Sequence, residues 1–216
     1  MPINDGTEEF TFILRFRHAV SAHERCCRVL IDPSSLRGPT YASKIFVHVD
    51  VIVHRSSECD ANNISVSAFM GEKLALRKLS LADLQDPNYT YVAMKIDKGG
   101  YDRYLEFALS LINRSIPYNY SDLALIPFGA SEFFDTMFTD VDPNDISSIR
   151  TLYCSQFAFI CIKHCFPPAA SADLLGEIRA MNSRCVGPAA LYSIVAPHGQ
   201  HLDTPMHLIT DQRLLG

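Results

Sequence analysis

The sequence has no tryptophan, no long apolar run and no basic tract, and each absence limits what the protein can be. Without tryptophan, 13 Phe and nine Tyr residues must supply the large rings of the core and of any pocket. No stretch of about 18 apolar residues occurs, so no transmembrane segment is predicted. The net charge is −5 and no Lys/Arg block appears, so no nucleic acid is expected as a partner.

No export signal is predicted, because the first ten residues, MPINDGTEEF, are acidic and contain no apolar core. The chain nevertheless has seven cysteines, an odd number: Cys26, Cys27, Cys59, Cys154, Cys161, Cys165 and Cys185. Free thiols in a reducing compartment are therefore expected, in a protein of the cytoplasm (host cytoplasm or virion, if it is viral) that is not secreted.

The common nucleotide, zinc-protease and serine-hydrolase motifs are absent: GxGxxG, GxxxxGKS/T, HExxH and GxSxG. No cofactor is expected. Zinc is an alternative interpretation for Cys161, His164 and Cys165, which occupy adjacent helical turns, with Cys185 downstream. Structural zinc sites usually take paired cysteines from loops, so no metal is predicted.

The pattern of elements predicts one α+β domain over residues 1–216, because strands come first and helices follow. Short segments rich in β-forming residues predict strands, and the second and third form a hairpin across the turn-rich residues 56–63. Helices are predicted from apolar spacing and from Pro and Gly stops. The strands are 11–20, 44–55, 64–70 and 89–97; the helices are 101–115, 117–129, 151–166 and 187–195. Segment 71–84 fits either a strand or a helix, and the apolar run from Cys26 is predicted as a strand. Residues 131–148 are predicted as a surface loop, and residues 196–216 as a polar C-terminal tail.

Cys154 is the leading candidate nucleophile, because it lies where a loop turns into a helix. The N–H groups and the dipole of a helix N-terminus favour a thiolate. A thiolate nucleophile needs an imidazole to hold or shuttle its proton. The spacing alone leaves a structural interpretation open, since Cys154, Ala158, Cys161 and Cys165 share one helical face and buried cysteine is common.

His48 is the candidate imidazole. It lies in the middle of the 44–55 strand, and Asp50, two residues on, faces the same side. An imidazole on a strand can meet the N-terminus of a helix that packs on the sheet. The alternative is a core or surface histidine with a satisfied hydrogen bond.

Several segments, in chain order, resemble the permuted papain-like NlpC/P60 superfamily, in its YiiX/LRAT-like branch. VHVDVIVH (47–54) is similar to its His-bearing strand, and TLYCSQF (151–157) to its Tyr-Cys-Ser-Glu-Phe segment, with Gln156 in place of Glu. PYNY (117–120), the strand from residue 64 and GPAALYSIV (187–195) resemble further elements. The order, His before Cys, reverses that of papain. Related patterns occur in large DNA viruses of animals.

The resemblance implies a circularly permuted papain-like fold, an antiparallel sheet with the Cys helix packed on it. It implies Cys154 as nucleophile and His48 as base, with Ser65 or, preferably, Ser67 as the residue that orients the imidazole. Members act on amide, ester or thioester bonds, so a peptide or lipid acyl substrate is expected.

Tyr118, Tyr120 and Tyr153, in the PYNY and TLYC segments, are the expected substrate-binding residues. Two other hypotheses stay open. One is a catalytically idle component that keeps the fold and assembles into a larger complex or virion. The other is a lipid-binding module with the aromatic-rich segment 128–138 as a lid.

Overall fold

A computed structural model describes residues 9–31, 45–55, 64–69, 71–123, 126, 140–142, 144–166, 172–179 and 181–202. Within these ranges the protein is α+β, with one six-stranded antiparallel sheet and helices packed on it. The strands are β1 Phe10–His18, β2 Phe46–Arg55, β3 Ile64–Ala68, β4 Leu74–Lys78, β5 Tyr89–Ile96 and β6 Gln200–Leu202. The helices are α1 Ala22–Ile31, α2 Leu81–Leu84, α3 Lys98–Asn113, α4 Tyr120–Leu123, α5 Cys154–Cys165, α6 Ala172–Arg179 and α7 Pro188–Val195. Short 3-10 helices lie in the described ranges at Ile146–Ser148, Ser183–Cys185 and Ala196–His198.

The sheet order is β4-β3-β2-β1-β5-β6, so the candidate His-bearing strand β2 lies inside the sheet, between β3 and β1. Alternation along β1 divides the core into two clusters. Phe12, Leu14 and Phe16 belong to the larger cluster, which α3, α5 and α7 cover. Ile13, between them, belongs to a smaller cluster with Ile52, closed by α2.

Helices α3 and α5 approach each other closely, which fixes the position of the candidate Cys helix. A Cβ built on Gly100 would lie 2.5 Å from the backbone oxygen of Cys165. Arg103 donates to the carbonyl oxygens of His164 and Cys165 at the end of α5, at 3.1 and 2.8 Å. These donors satisfy carbonyl groups that a helix end leaves without intrahelical partners.

Most predicted elements are confirmed, and some segments differ from the prediction. In the predicted helix 117–129, helix α4 covers only Tyr120–Leu123, and Pro117 and Tyr118 form isolated β-bridges instead. The apolar run from Cys26 belongs to helix α1, not to a strand. Segment 71–84 contains both alternatives, since β4 is followed by the single-turn helix α2. Residues 200–202, assigned to a polar tail, form β6 and extend the sheet beside β5. The predicted loop 56–63 and lid segment 128–138 lie outside the described residues, as does most of the predicted loop 131–148.

Candidate active site

Cys154 is the first residue of α5. The preceding residue, Tyr153, has extended backbone and makes no side-chain cap to the first turn. The thiol therefore lies at the N-terminal end of a 12-residue helix, where backbone dipoles favour negative charge. Cys154 is 3% exposed.

The two neighbours of Cys154 anchor the start of the helix. The Tyr153 hydroxyl donates to the carbonyl oxygen of Ser183 at 3.1 Å, and the Ser155 hydroxyl donates to that of Val186 at 2.7 Å. Both side chains are completely buried. The thiol is thus held between two residues that tie α5 to the segment before α7.

His48 lies at an irregularity in the central sheet. The register of β1 with β2 is regular up to Arg17↔His48 and then shifts, so that His18 pairs with Phe46. Such a bulge redirects nearby side chains and is frequent beside active sites. The His48 side chain is 16% exposed.

The imidazole of His48 contacts two groups of the site. Its Nε2 lies 2.9 Å from Oδ1 of Asp50, two residues along the same strand. Its ring also hydrogen-bonds with the Cys154 side chain. The structure therefore brings together the predicted nucleophile and the predicted base, with a buried carboxylate behind the base.

The charges of the site favour a protonated imidazole. Burial by itself lowers the pKa of His48, because it penalises the charged form. The negative charge of a Cys154 thiolate and the hydrogen bonds with Asp50 and Cys154 outweigh burial and raise the pKa to about 10. Because this attraction is mutual, the imidazolium favours the thiolate form of Cys154.

Asp50 is shared between two cationic partners. Its Oδ1 faces His48, and its Oδ2 accepts from Nη1 of Arg15 at 3.2 Å. Asp50 and Arg15 are opposite each other in the β1–β2 register and are 2% and 4% exposed. Buried charges need such partners, since an unpaired one is costly.

An aromatic ring covers one side of the imidazole. Phe69 stacks on His48, with ring centroids 5.0 Å apart. A turn closed by the Glu72 N–H bond to the Phe69 carbonyl places this ring, and Gly71 supplies the positive φ of 79° there. The Arg77 guanidinium lies 3.5 Å from the Phe69 ring centroid and pairs with Glu72. This cover limits the access of water to His48.

The serines of β3 do not take the expected place beside His48. Ser67 donates to the carbonyl oxygen of Val49 at 2.7 Å. Ser65 is 1% exposed, and its hydroxyl has no hydrogen-bond partner among the described residues. A carboxylate on β2 itself, that of Asp50, contacts His48 where the resemblance assigned a serine hydroxyl of β3, and this corrects the expectation. The i,i+2 spacing of His48 and Asp50 was the available signal.

The three candidate substrate-binding tyrosines lie in different environments. Tyr153 is completely buried and bound to Ser183, so it is not open to a substrate. Tyr118 is 9% exposed and forms a parallel bridge with Leu152, two residues before Cys154. Tyr120 is 54% exposed and its ring lies 4.9 Å from that of Tyr118. Tyr120 is the most accessible of the three.

The other cysteines of α5 contrast with Cys154. Burial raises the pKa of Cys165 to about 12 and that of Cys161 well above its ordinary value. Both are completely buried, so they behave as apolar core residues. Within the described ranges, no group of three or more His, Cys, Asp or Glu residues is placed to hold a metal ion. No helix found there has the length and apolar character needed to cross a membrane.

Comparisons with protein-family models, with curated proteins and with solved structures give no match for the chain.

Proposed function

We propose that this protein is a cysteine-dependent hydrolase or acyltransferase that cleaves an amide, ester or thioester bond through a Cys154 acyl-enzyme. One observation carries the proposal: Cys154, His48 and Asp50 form a continuous hydrogen-bonded row that starts at a helix N-terminus. A nucleophile, a base within its reach and a group that orients the base are what covalent acyl transfer requires.

The first half-reaction transfers the acyl group to the enzyme. With Nε2 engaged by Asp50, Nδ1 is the nitrogen of His48 left to exchange a proton with the thiol. The thiolate attacks the carbonyl carbon, and backbone N–H groups at the start of α5 stabilise the oxyanion. Collapse re-forms the carbonyl, and His48 gives its proton to the departing amine, alcohol or thiol.

The second half-reaction releases the acyl group. His48, now neutral, takes a proton from water or from an acceptor, which attacks the thioester carbon. Breaking the S–C bond restores the thiolate and produces an acid or a transferred acyl group. Asp50 keeps the imidazole oriented and stabilises its cation in both halves, as the carboxylate of a Ser-His-Asp triad does.

We place the chain in the permuted papain-like NlpC/P60 superfamily within this proposal. Its support is the chain order of His48 before Cys154, and the contact of helix α5 with strands β2 and β3 of an antiparallel sheet. The substrate class is then a peptide or lipid acyl compound. The exposed Tyr120 and its neighbour Tyr118 are the aromatic groups proposed to contact it.

A catalytically idle component of a complex or virion is the second candidate. The low exposure of Cys154, 3%, favours it, because a substrate must reach the sulfur. The cytoplasmic location expected from the free thiols fits both candidates.

Measuring the hydrolysis rates of wild type and of site variants distinguishes the enzyme from the catalytically idle component. Purified protein is offered p-nitrophenyl acyl esters, a phospholipid and a γ-D-glutamyl peptide. Cys154→Ala and His48→Ala should each abolish hydrolysis, and the double variant should be no slower than either, because the two residues act as a unit. Intact-mass spectrometry should show an acyl adduct on the wild type.

Cys26→Ala and His23→Ala are the matched controls, since both residues are exposed. They should leave the rates unchanged. Hydrolysis that survives Cys154→Ala would reject the acyl-enzyme. No hydrolysis of any of the three classes by the wild type would support the structural candidate.

A further inference from the structure

Arg15 is a buried residue that contacts the oxygen of Asp50 facing away from His48. Its Nη1 donates to Asp50 Oδ2 at 3.2 Å, and its Nη2 donates to the carbonyl oxygen of Asp83 at 2.8 Å. The guanidinium carbon lies 3.5 Å from the ring centroid of Tyr89. Arg15 is 4% exposed, so solvent does not replace these contacts.

The ion pair of Arg15 is with Asp50 and not with Asp83. Asp83 contributes only its backbone carbonyl, while its carboxylate accepts from the N–H and the hydroxyl of Ser80. The fork of the guanidinium therefore joins strand β1 both to the site on β2 and to helix α2. A planar fork with fixed donors suits this double contact better than an ammonium group.

We propose that Arg15 is a positioning residue of the active site, which neutralises Asp50 so that the His48 imidazolium remains paired with the Cys154 thiolate. This inference rests on the proposed function. The contacts of Arg15 are with Asp50, the Asp83 carbonyl oxygen and the Tyr89 ring, so it acts on the thiol through Asp50.

The reason is the balance of charge in a buried row. Arg15, Asp50, His48 and Cys154 alternate in sign when the thiol is ionised, and their sum is zero. Without Arg15 the row carries one uncompensated negative charge, and desolvation then favours protonation of one anion. A thiol has a much higher ordinary pKa than a carboxyl group, so the sulfur takes the proton first.

Among the residues that the structure describes, no other charged or titratable group near the row supplies the missing cation. Burial raises the pKa values of Tyr89 and Tyr91, which keeps both phenols neutral at pH 7. The nearest other cation on β1, Arg17, pairs with Glu24. Among the described residues, the groups that interact electrostatically with Arg15 or Asp50 are His48, Asp83, Tyr89, Tyr91 and, on helix α3, Tyr104, whose pKa burial raises well above its ordinary value.

The test is the rate of iodoacetamide alkylation of Cys154 between pH 5 and 10, followed by peptide mass spectrometry. Arg15→Gln retains hydrogen-bonding groups but no charge, and Arg15→Lys retains the charge. Arg15→Gln should move the midpoint of the alkylation profile toward higher pH by about one pH unit or more, so that at any pH below both midpoints it reacts about tenfold or more slowly than wild type, and it should reach the wild-type rate at pH 10. Arg15→Lys should follow the wild-type profile closely.

Protection of Cys161 and Cys165 from labelling shows that each variant is folded, since both are completely buried in the native protein. A folded Arg15→Gln with the wild-type profile would overturn the inference. If labelling of Cys161 and Cys165 shows that Arg15→Gln is unfolded, the alkylation profile of folded Arg15→Lys tests the inference instead. Its charge predicts the wild-type profile, and a shift like that of His48→Asn would overturn the role of charge.

His48→Asn separates this inference from the proposed function. If His48→Asn alkylates as fast as wild type at pH 7, the imidazole does not activate the thiol and the proposed function fails. If His48→Asn is slow while Arg15→Gln is normal, the proposed function stands and only the role of Arg15 fails.

Discussion

Replacing Asp50 by asparagine tests which side chain orients His48. The Asp50 carboxylate lies 2.9 Å from His48 Nε2, whereas the Ser67 hydroxyl is directed to the Val49 carbonyl oxygen. Asp50→Asn keeps the shape of the side chain and removes its charge. Ser67→Ala removes the hydroxyl that the resemblance favoured. The two variants therefore give opposite results under the two arrangements.

The magnitude for Asp50→Asn follows from the contacts of the carboxylate. A hydrogen bond to a charged group contributes about 1.5–3 kcal/mol, which corresponds to about one to two pKa units. The pKa of His48, raised to about 10 in the wild type, should fall by that amount. Ser67→Ala should leave it within a few tenths of a unit, roughly the scatter expected without a direct contact.

The assay is a pH titration of the histidine Cε1 proton resonances by NMR. The chain has eight histidines, and the resonance absent from His48→Asn identifies the relevant one. A fall in the pKa with Ser67→Ala, together with an unchanged pKa in Asp50→Asn, would refute the reasoning and restore the serine as the orienting residue.

The stability of the same variants gives an independent measurement. Asp50→Asn leaves the buried Arg15 without its anion, a change that costs about 3–5 kcal/mol in comparable buried pairs. Asp102→Asn is the matched control, because its pair with Lys98 is exposed and contributes about 0.5 kcal/mol or less. Urea unfolding should show a large decrease in midpoint for Asp50→Asn alone.

Three further predictions concern the thiol, the pH dependence and the helix contact. Iodoacetamide at pH 7 should label Cys154 faster than the exposed Cys26, and equal rates would contradict activation of the thiol. Because the pKa of His48 is raised from 6.5 to about 10, its stabilising contribution is complete below pH 6.5 and is lost as the pH rises through about 10. In urea unfolding, the free energy of unfolding of wild type should therefore fall more between pH 7 and pH 10 than that of His48→Asn. An equal fall in both proteins would contradict an ion pair between His48 and its anionic neighbours. In urea unfolding, Gly100→Ala should destabilise the protein, because its Cβ would lie 2.5 Å from the α5 backbone. Gly99→Ala is the control, since its Cβ would lie 3.2 Å from the flexible tip of Arg103. It should be neutral or stabilising by up to about 1 kcal/mol.

Local patterns were sufficient for most of the secondary structure. Dense β-forming residues marked β1, β2, β3 and β5, and apolar spacing with Pro and Gly stops marked α3, α5 and α7. Helix α1 was missed because the apolar run from Cys26 was considered apart from the preceding turn, where Ser21 and Glu24 cap each other's backbone N–H groups and start the helix. Strand β6 was missed because its polar three-residue segment is held by pairing with β5, which no local preference indicates.

The candidate site was predictable in part. The sequence pointed to Cys154 from its place at a helix start, and to His48 from the resemblance and its strand. Alternation also put Asp50 on the His48 side of β2, since residues two apart on a strand share a face. The resemblance nevertheless favoured Ser67, and that choice needed the distances that only the structure supplies.

The sequence by itself determined which segments form strands and helices and which residues could do chemistry, because these properties depend on neighbours within a few positions. Only the tertiary structure decided the partners. Arg15 and Asp50 are 35 residues apart, and the antiparallel register of β1 with β2 makes them opposite. Cys154 meets His48 because α5 packs on β2. Charge pairing and proton transfer depend on distances of a few ångströms, which long-range packing sets and local preference does not.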